Sequence, residues 1–268
     1  MNENDVKALK AAVLLLENPS VGAKFANIVG APIEAAIARL PDKATKIIGD
    51  ATQKAIQGAL WLSLKTLTLH NPSSDSEPPE SSNWWHMAAT ATTGAVGGAF
   101  GLMALTIELP ISTTIMMRSI ADIARSEGAD MQDLQTQFEC VHVLALGGAS
   151  RSDDSAEIGY FIARDAMAKA VSEAAAHIAK NGLKKEAAPA IVRLIAQIAE
   201  RYSINVTEKA AAQLVPVVGA IGGALINTIF IDHFQNMARG HFTVRRLERK
   251  YDPVLVRQKY TEFKLLRD

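Results

Sequence analysis

The feature that most constrains the fold is a glycine-rich phrase that occurs twice in the chain. Residues 94–100 read Gly-Ala-Val-Gly-Gly-Ala-Phe, and residues 219–225 read Gly-Ala-Ile-Gly-Gly-Ala-Leu. The phrases lie inside long stretches without charged side chains, at 87–107 and 210–231. Because glycine destabilises a helix interior by about 1 kcal/mol relative to alanine, its repeated use in apolar helices requires a packing reason.

Close approach of two backbones is the usual reason. Glycines spaced four residues apart lie on one face of a helix and form a flat strip against which a second backbone can pack. The repeat therefore predicts two central glycine-rich apolar helices and allows them to pack against each other. The glycines assigned to this contact are Gly94, Gly97, Gly98, Gly101, Gly219, Gly222 and Gly223.

The rest of the chain follows a helical pattern, with no sustained alternation of apolar and polar residues. Helices are predicted over 5–17, from about Ser20, and over 41–69, 87–107, 111–127, 130–146, 153–180, 184–201, 205–238 and 242–265. A break is expected at Pro110, because proline disfavours helical geometry in the residue before it. The predicted fold class is all-α, a multi-helix bundle built around the two glycine-rich helices.

Composition divides the chain into three regions. Residues 70–83 are rich in proline, serine and acidic side chains and contain no apolar residue that could anchor them, which predicts a flexible linker. The linker separates an N-terminal helical region, 1–69, from a larger helical domain, 84–268.

Charge and cysteine content exclude several function classes. The 28 basic residues balance the 28 acidic residues, so no overall attraction to nucleic acid is expected. Cys140 is the only cysteine and the six histidines are scattered, so neither a metal site nor a bound cofactor is predicted. The N terminus lacks the positive segment of a secretory signal, and the expected location is the cytoplasm.

The two uncharged stretches allow two interpretations. Each is long enough for a bilayer, which about 20 helical residues cross. The stretch at 87–107 is mostly alanine, threonine and glycine, however, and the second contains Pro216 and Asn227. They are either central helices of a soluble bundle or helices inserted into, or shallowly embedded in, a membrane.

A basic segment follows the second uncharged stretch. Residues 239–268 contain nine basic and four acidic side chains. Basic segments beside an apolar helix are attracted to anionic lipids on the cytoplasmic face. The candidates for contact with a membrane surface are Arg245, Arg246, Arg249 and Lys250; the alternative is a solvated helix face with local ion pairs.

Several phrases resemble the EcsC protein family, named for a bacterial protein encoded beside an ABC transporter. They are Glu-Leu-Pro-Ile-Ser-Thr-Thr at 108–114, Leu-Ala-Leu-Gly-Gly at 144–148, Ser-Asp-Asp-Ser-Ala-Glu-Ile-Gly-Tyr at 152–160, Val-Pro-Val-Val-Gly-Ala at 215–220 and the stretch 241–248. The resemblance covers roughly 84–260. It implies an accessory to transport that is cytoplasmic or bound to a membrane, and it brings no set of catalytic residues.

Two groups of polar residues are candidates for a site. Glu108 is the only charge between Trp84 and Met117, and a buried network of Glu108, Arg118 and Asp122 is predicted. As alternatives, Glu108 caps the following helix or acts as an acid or base with a raised pKa. Glu157, Tyr160 and Arg164 share a helix face, either as a ligand-facing stripe or as an exposed ladder. Asn227 interrupts the second apolar stretch.

The leading functional expectation is a non-enzymatic accessory that associates with a membrane or with ABC transporter components. One rival is a carrier of lipid or another apolar ligand, with a cavity lined by Phe100, Met103, Met116 and Phe230. A second rival is a hydrolase that uses Glu108 or the acidic residues near 153–157.

Overall fold

A computed structural model describes residues 1–17, 20–30, 32–68, 98–146, 159–182, 188–215 and 219–266. Within these ranges the regular structure consists of ten α-helices and one short 3₁₀ turn, and no strand occurs there. The prediction of an all-α fold is confirmed.

The helices are numbered in chain order. They are α1 (Glu3–Leu16), α2 (Val21–Val29), α3 (Ile33–Ile37), α4 (Ala44–Thr68), α5 (Gly98–Ser126), α6 (Leu134–His142), α7 (Gly159–Asn181), α8 (Pro189–Gln213), α9 (Gly219–Lys250) and α10 (Pro253–Leu265). The 3₁₀ turn Val143–Ala145 extends α6.

Side-chain caps fix where the first and last helices begin. The side chain of Asn2 accepts a hydrogen bond from the backbone amide of Asp5 at 2.8 Å and starts α1. Asp252 accepts one from the amide of Val254 at 2.7 Å, and Pro253 follows it at the first helical position of α10. Both arrangements satisfy amides that have no partner inside their own helix.

Pro110 does not end a helix, so the predicted break is wrong. α5 continues through it from Gly98 to Ser126. Leu109 and Thr113, which flank the proline, are fully buried. A proline inside a helix removes one backbone hydrogen bond, and here the packing on both sides holds the helix together despite that loss.

Two further predicted boundaries are wrong. α8 runs without a break past residues 202–204, and α9 runs past 239–241 to Lys250. The chain instead leaves the helix between Gln213 and Gly219, so the stretch 210–231 is divided between the end of α8 and the start of α9. The predicted helix start near 153 lies outside the described residues. The described part of α7 begins at Gly159.

The helices share one hydrophobic core to which all ten contribute. α4 packs along α5 and α8, while α1 packs along α9 and α10, so the helices before the predicted linker contact those after it. The linker itself, 70–83, lies outside the described residues, and the proposed division of the chain stays a prediction.

α5 and α9 pack side by side and run in the same direction. Ser119 accepts a hydrogen bond from Gln235 at 2.8 Å, and Glu127 accepts one from Thr243 at 3.2 Å; both pairs are 116 residues apart. This constant offset requires parallel axes. The N-terminal parts of both helices therefore lie at the same end of the bundle.

The predicted contact between glycine faces stays a prediction. Gly98 and Gly101 belong to the start of α5, and Gly219, Gly222 and Gly223 to the start of α9. Gly94 and Gly97 lie outside the described residues, and the surroundings of the other five are not described either. None of the helices in the described ranges is both long enough and apolar enough to cross a membrane.

Gly240 permits the close contact between α1 and α9. A Cβ placed on Gly240 would lie 2.6 Å from Cγ of Leu16, much closer than a van der Waals contact. We expect Gly240→Ala to lower the free energy of unfolding by about 1–3 kcal/mol, because the added methyl group overpacks this contact. Chemical denaturation measures the change.

Gly49→Ala on α4 is the matched control, because a Cβ there meets nothing within 4 Å. It should be neutral or stabilise the helix by up to about 1 kcal/mol. Leu16→Ala in the Gly240→Ala background should recover part of the loss. Equal effects of the two alanine substitutions would contradict a close contact at Gly240.

Candidate functional site

The densest group of polar side chains lies between α6, α7 and α9. We call it the polar network. Its members are Glu139 and His142 from α6, Tyr160 and Arg164 from α7, and His241, Arg245 and Glu248 from α9.

Arg245 is the hub of the polar network. Its guanidinium makes two parallel hydrogen bonds to Glu139, at 2.7 and 3.1 Å, and a third to Glu248 at 2.9 Å. The other carboxylate oxygen of Glu248 binds Arg164 at 2.8 Å. Two arginines thus balance two carboxylates, and the bidentate geometry favours a single arrangement of α6, α7 and α9.

Two buried histidines complete the polar network. The hydroxyl of Tyr160 is hydrogen-bonded to Nδ1 of His241 at 2.9 Å, and the ring of His142 packs edge-on against that of His241. All three residues are buried. Nε2 of each histidine is buried without a hydrogen-bond partner among the described residues; that of His241 lies 3.8 Å from Glu139.

Several groups of the polar network have pKa values shifted away from neutral pH. Burial opposes the charged form of Glu139, but His241 and Arg245 outweigh it and lower the pKa to about 2. Burial lowers the pKa of His142 to about 3 and also lowers the pKa of His241. Burial raises the pKa of Tyr160. At neutral pH the carboxylate is charged and the imidazoles and phenol are neutral, whereas a general acid or base works best with a pKa near the operating pH.

Glu108 has a different partner from the one predicted. Its Oε1 lies 2.6 Å from Nζ of Lys209, a fully buried lysine of α8 whose ammonium also lies 4.7 Å from the ring centre of Phe230. Arg118 is exposed, and Asp122 pairs with Arg125 at 2.7 Å. The predicted network of Glu108, Arg118 and Asp122 is therefore wrong, because Glu108 faces α8 and Arg118 faces solvent.

Three cations of the basic segment bind groups of the protein itself, in addition to Arg245. Arg246 pairs with Glu127 at 2.6 Å and Lys250 with Asp5 at 2.6 Å, and Arg249 donates to the backbone carbonyl of Glu127 at 2.7 Å. These contacts tie the end of α9 to α1 and α5. Of the two interpretations of the segment, the structure favours local ion pairs over a membrane-facing basic patch.

The N-terminal parts of α5 and α9 form the opposite kind of surface. We call residues 98–107 and 219–231 the uncharged end, since neither range contains a charged side chain. Three large apolar side chains there are exposed: Met103 by 61%, Ile107 by 67% and Leu225 by 44%. Met103 and Ile107 are one helical turn apart, so they share a face of α5.

Three of the four residues predicted to line an apolar cavity have described side chains. Met116 and Phe230 are buried in the core, whereas Met103 faces solvent. The side chain of Phe100 lies outside the described part of the chain, so the complete cavity stays a prediction.

A known protein family matches most of this helical chain. The model of the EcsC protein family matches residues 16–247. The chain belongs to the EcsC protein family. Comparisons with curated proteins and with solved structures found no match.

The EcsC match begins much earlier than the motifs indicated. It starts within α1 instead of at about residue 84, and it ends near the C terminus of α9 instead of at about 260. The family region thus contains α2, α3 and α4 and the last residue of α1, which agrees with the packing of α2, α3 and α4 against α5, α8 and α9.

The remaining candidates of this EcsC chain are only partly brought together. Tyr160 and Arg164 are neighbours, with the guanidinium 3.5 Å from the phenol oxygen, but both belong to the polar network. Glu157 lies outside the described residues. Asn227 is buried, and its Oδ1 accepts a hydrogen bond from Gln213 at 3.5 Å. In the described ranges, no three His, Cys, Asp or Glu side chains converge as metal ligands.

Sequence reasoning missed the roles of Glu139, His142, His241 and Glu248. The signal available was their spacing: Glu139 and His142 are three residues apart, and His241, Arg245 and Glu248 follow at intervals of four and three. Such intervals place side chains on one helix face. They do not reveal that the two faces meet.

Proposed function

We propose that this EcsC protein is a non-catalytic accessory that binds peripherally to the cytoplasmic face of a membrane through its uncharged end. The observation that supports the proposal is the exposure of Met103, Ile107 and Leu225 at an end of the bundle where α5 and α9 carry no charge. An exposed apolar group that lacks neighbouring charges is typical of an interaction surface.

Shallow insertion of the exposed apolar side chains would release enough free energy for the protein to bind a membrane. Complete burial of a large apolar side chain yields about 1.5–3 kcal/mol, so partial burial of several such side chains gives measurable membrane affinity. The sequence before α5 has a similar composition. It stays uncharged from 87 to 97 and begins with Trp84 and Trp85, and tryptophan is enriched at membrane interfaces.

Electrostatic attraction has a minor role in this proposal. Arg245, Arg246, Arg249 and Lys250 already have acceptors inside the protein, so anionic lipid would have to compete with those contacts. Binding through the uncharged end therefore requires neither low salt nor a strongly anionic membrane.

The polar network supports the non-catalytic part of the proposal. Its carboxylates are held by arginines, and its histidines and tyrosine have pKa values moved away from neutrality. Glu108 is likewise bound to Lys209. A role in binding, beside an ABC transporter as the family resemblance implies, requires none of these groups to react.

Vesicle flotation tests the proposal. We expect the wild-type protein to float with vesicles of phosphatidylethanolamine and phosphatidylglycerol at both low and high salt. Met103→Asp/Ile107→Asp should reduce the bound fraction by about tenfold or more, because two charges replace two inserting apolar groups.

Val254→Asp is the control, since Val254 is 63% exposed but lies on α10, away from the uncharged end. It should float like the wild type. Equal flotation of the double variant, or binding of the wild type at low salt alone, would contradict the proposal. If the wild type bound only to native membranes that contain a transporter, its binding partner would be a protein instead of lipid.

A groove between α1 and α10 supports a second candidate function, the binding of an anionic single-chain amphiphile. The groove has a volume of about 240 Å³ and is lined by Lys10, Val13, Leu14, Phe263 and Leu266. Leu14 is 55% and Leu266 77% exposed. The Lys10 ammonium lies 4.9 Å from the ring centre of Phe263 and makes no ion pair with the described residues. An acyl chain would cover the leucines while its carboxylate pairs with Lys10.

Calorimetric titration with dodecanoate tests this second function. We expect saturable binding that Lys10→Gln weakens about tenfold, because a charge-assisted hydrogen bond contributes about 1.5–3 kcal/mol. Lys54→Gln on the exposed side of α4 is the control and should leave binding unchanged. No saturable binding, or equal binding of dodecanol, would contradict this function.

A further inference from the structure

A carboxyl group that forms no ion pair with the described residues lies where α8 meets α2 and α3. It belongs to Glu208, which lies one residue before Lys209. Its Oε2 is buried and makes no hydrogen bond within the described part of the chain. The carboxyl group lies against the backbone of Gly22, in the first turn of α2.

Gly22 is what lets the carboxyl group reach the backbone of α2. A Cβ placed on Gly22 would lie 2.6 Å from Oε1 and 2.7 Å from Cδ of Glu208. Every other residue type would have to displace the carboxyl group. The carboxyl group of Glu208 thus lies against the first turn of α2, beside the local cap in which Ser20 accepts a hydrogen bond from the amide of Ala23 at 3.3 Å.

The charged groups around Glu208 do not stabilise a carboxylate. From α3, Glu34 acts on it as a like charge, and α2 contributes the uncharged Gly22 amide. On α8 the neighbouring ammonium of Lys209 is bound to Glu108. One turn earlier, Asn205 is fully buried, and neither its oxygen nor its nitrogen has a partner among the described residues.

We propose that a proton on Glu208 fastens the α2–α3 helix pair to α8, and that loss of this proton loosens the pair. The neutral carboxyl group fits the poorly solvated junction, whereas a carboxylate would be buried beside Glu34 without a cation. The pair contributes Phe25, Val29, Ile33 and Ala36 to the core, so its release exposes apolar surface. The fold therefore contains a pH-sensitive latch formed by residues other than those of the uncharged end.

The pH range follows from the environment of the group. Burial, with a further contribution from Glu34 and against the effect of the Gly22 amide, raises the pKa of Glu208 from 4.5 to about 7. A folded-state pKa above the unfolded value gives stability that is fully present below the unfolded pKa and is lost as the pH rises through about 7. The latch should thus loosen progressively as the pH rises from about 4.5 to about 7 and should be fully loosened in mildly alkaline solution.

Hydrogen exchange of the full chain tests the latch. After correction for intrinsic exchange rates, protection of residues 21–37 in the wild type should fall by up to about tenfold per pH unit between about pH 4.5 and about pH 7, the limit for one released proton, and should level off above about pH 7. Protection of α10 should not follow this dependence. Glu208→Gln, which cannot lose a proton, should keep α2–α3 protected across the range.

Two results would overturn the proposal: no pH dependence in the wild type, or the same dependence in Glu208→Gln. Because the glutamine variant could fail to fold, the carboxyl carbon of Glu208 should also be titrated by NMR in the wild type. A midpoint near 7 supports the latch, and a midpoint near the ordinary value of glutamate contradicts it.

Discussion

Charged groups that are removed from water need oppositely charged or hydrogen-bonding partners, and this requirement determines how the C-terminal half of α9 packs against its neighbours. Removing a charge from water is costly unless an opposite charge and hydrogen bonds replace the solvent. Arg245 meets this requirement with Glu139 from α6 and with Glu248, while Arg246 and Lys250 use Asp5 from α1 and Glu127 from α5. Because these acids lie on different helices, satisfying them fixes where α1, α5 and α6 stand relative to α9.

The same arrangement gives the bundle two dissimilar ends. The ion pairs gather where α5 and α9 finish, and the uncharged surface lies where both helices begin. Because α5 and α9 pack in parallel, their N-terminal ends lie together and their C-terminal ends lie together. Under the proposed function, the exposed Met103, Ile107 and Leu225 of the uncharged end would contact a membrane by insertion more than by electrostatic attraction. The latch at Glu208 would add pH sensitivity to this scaffold.

Local signals in the sequence predicted the fold class well, because helical periodicity and caps act over a few residues. The start at Ser20 illustrates this. Boundaries failed where tertiary packing overrides local preference, as at Pro110 between two fully buried residues. The partners of charged residues were the least predictable. Glu108 pairs with Lys209, which lies 101 residues later in the chain, and Asp5 pairs with Lys250, which lies 245 residues later. No local rule chooses among the 28 basic residues.

The most direct test of this account is a double-mutant cycle between Glu139 and Arg245, measured as free energies of unfolding for Glu139→Gln, Arg245→Met and the double variant. If the pair holds α9 to α6, the coupling energy should be at least about 1 kcal/mol, whereas the exposed pair Glu3–Lys7 on α1 should give about 0.5 kcal/mol or less. Additive effects at Glu139 and Arg245 would contradict the claim that internal ion pairs position α9.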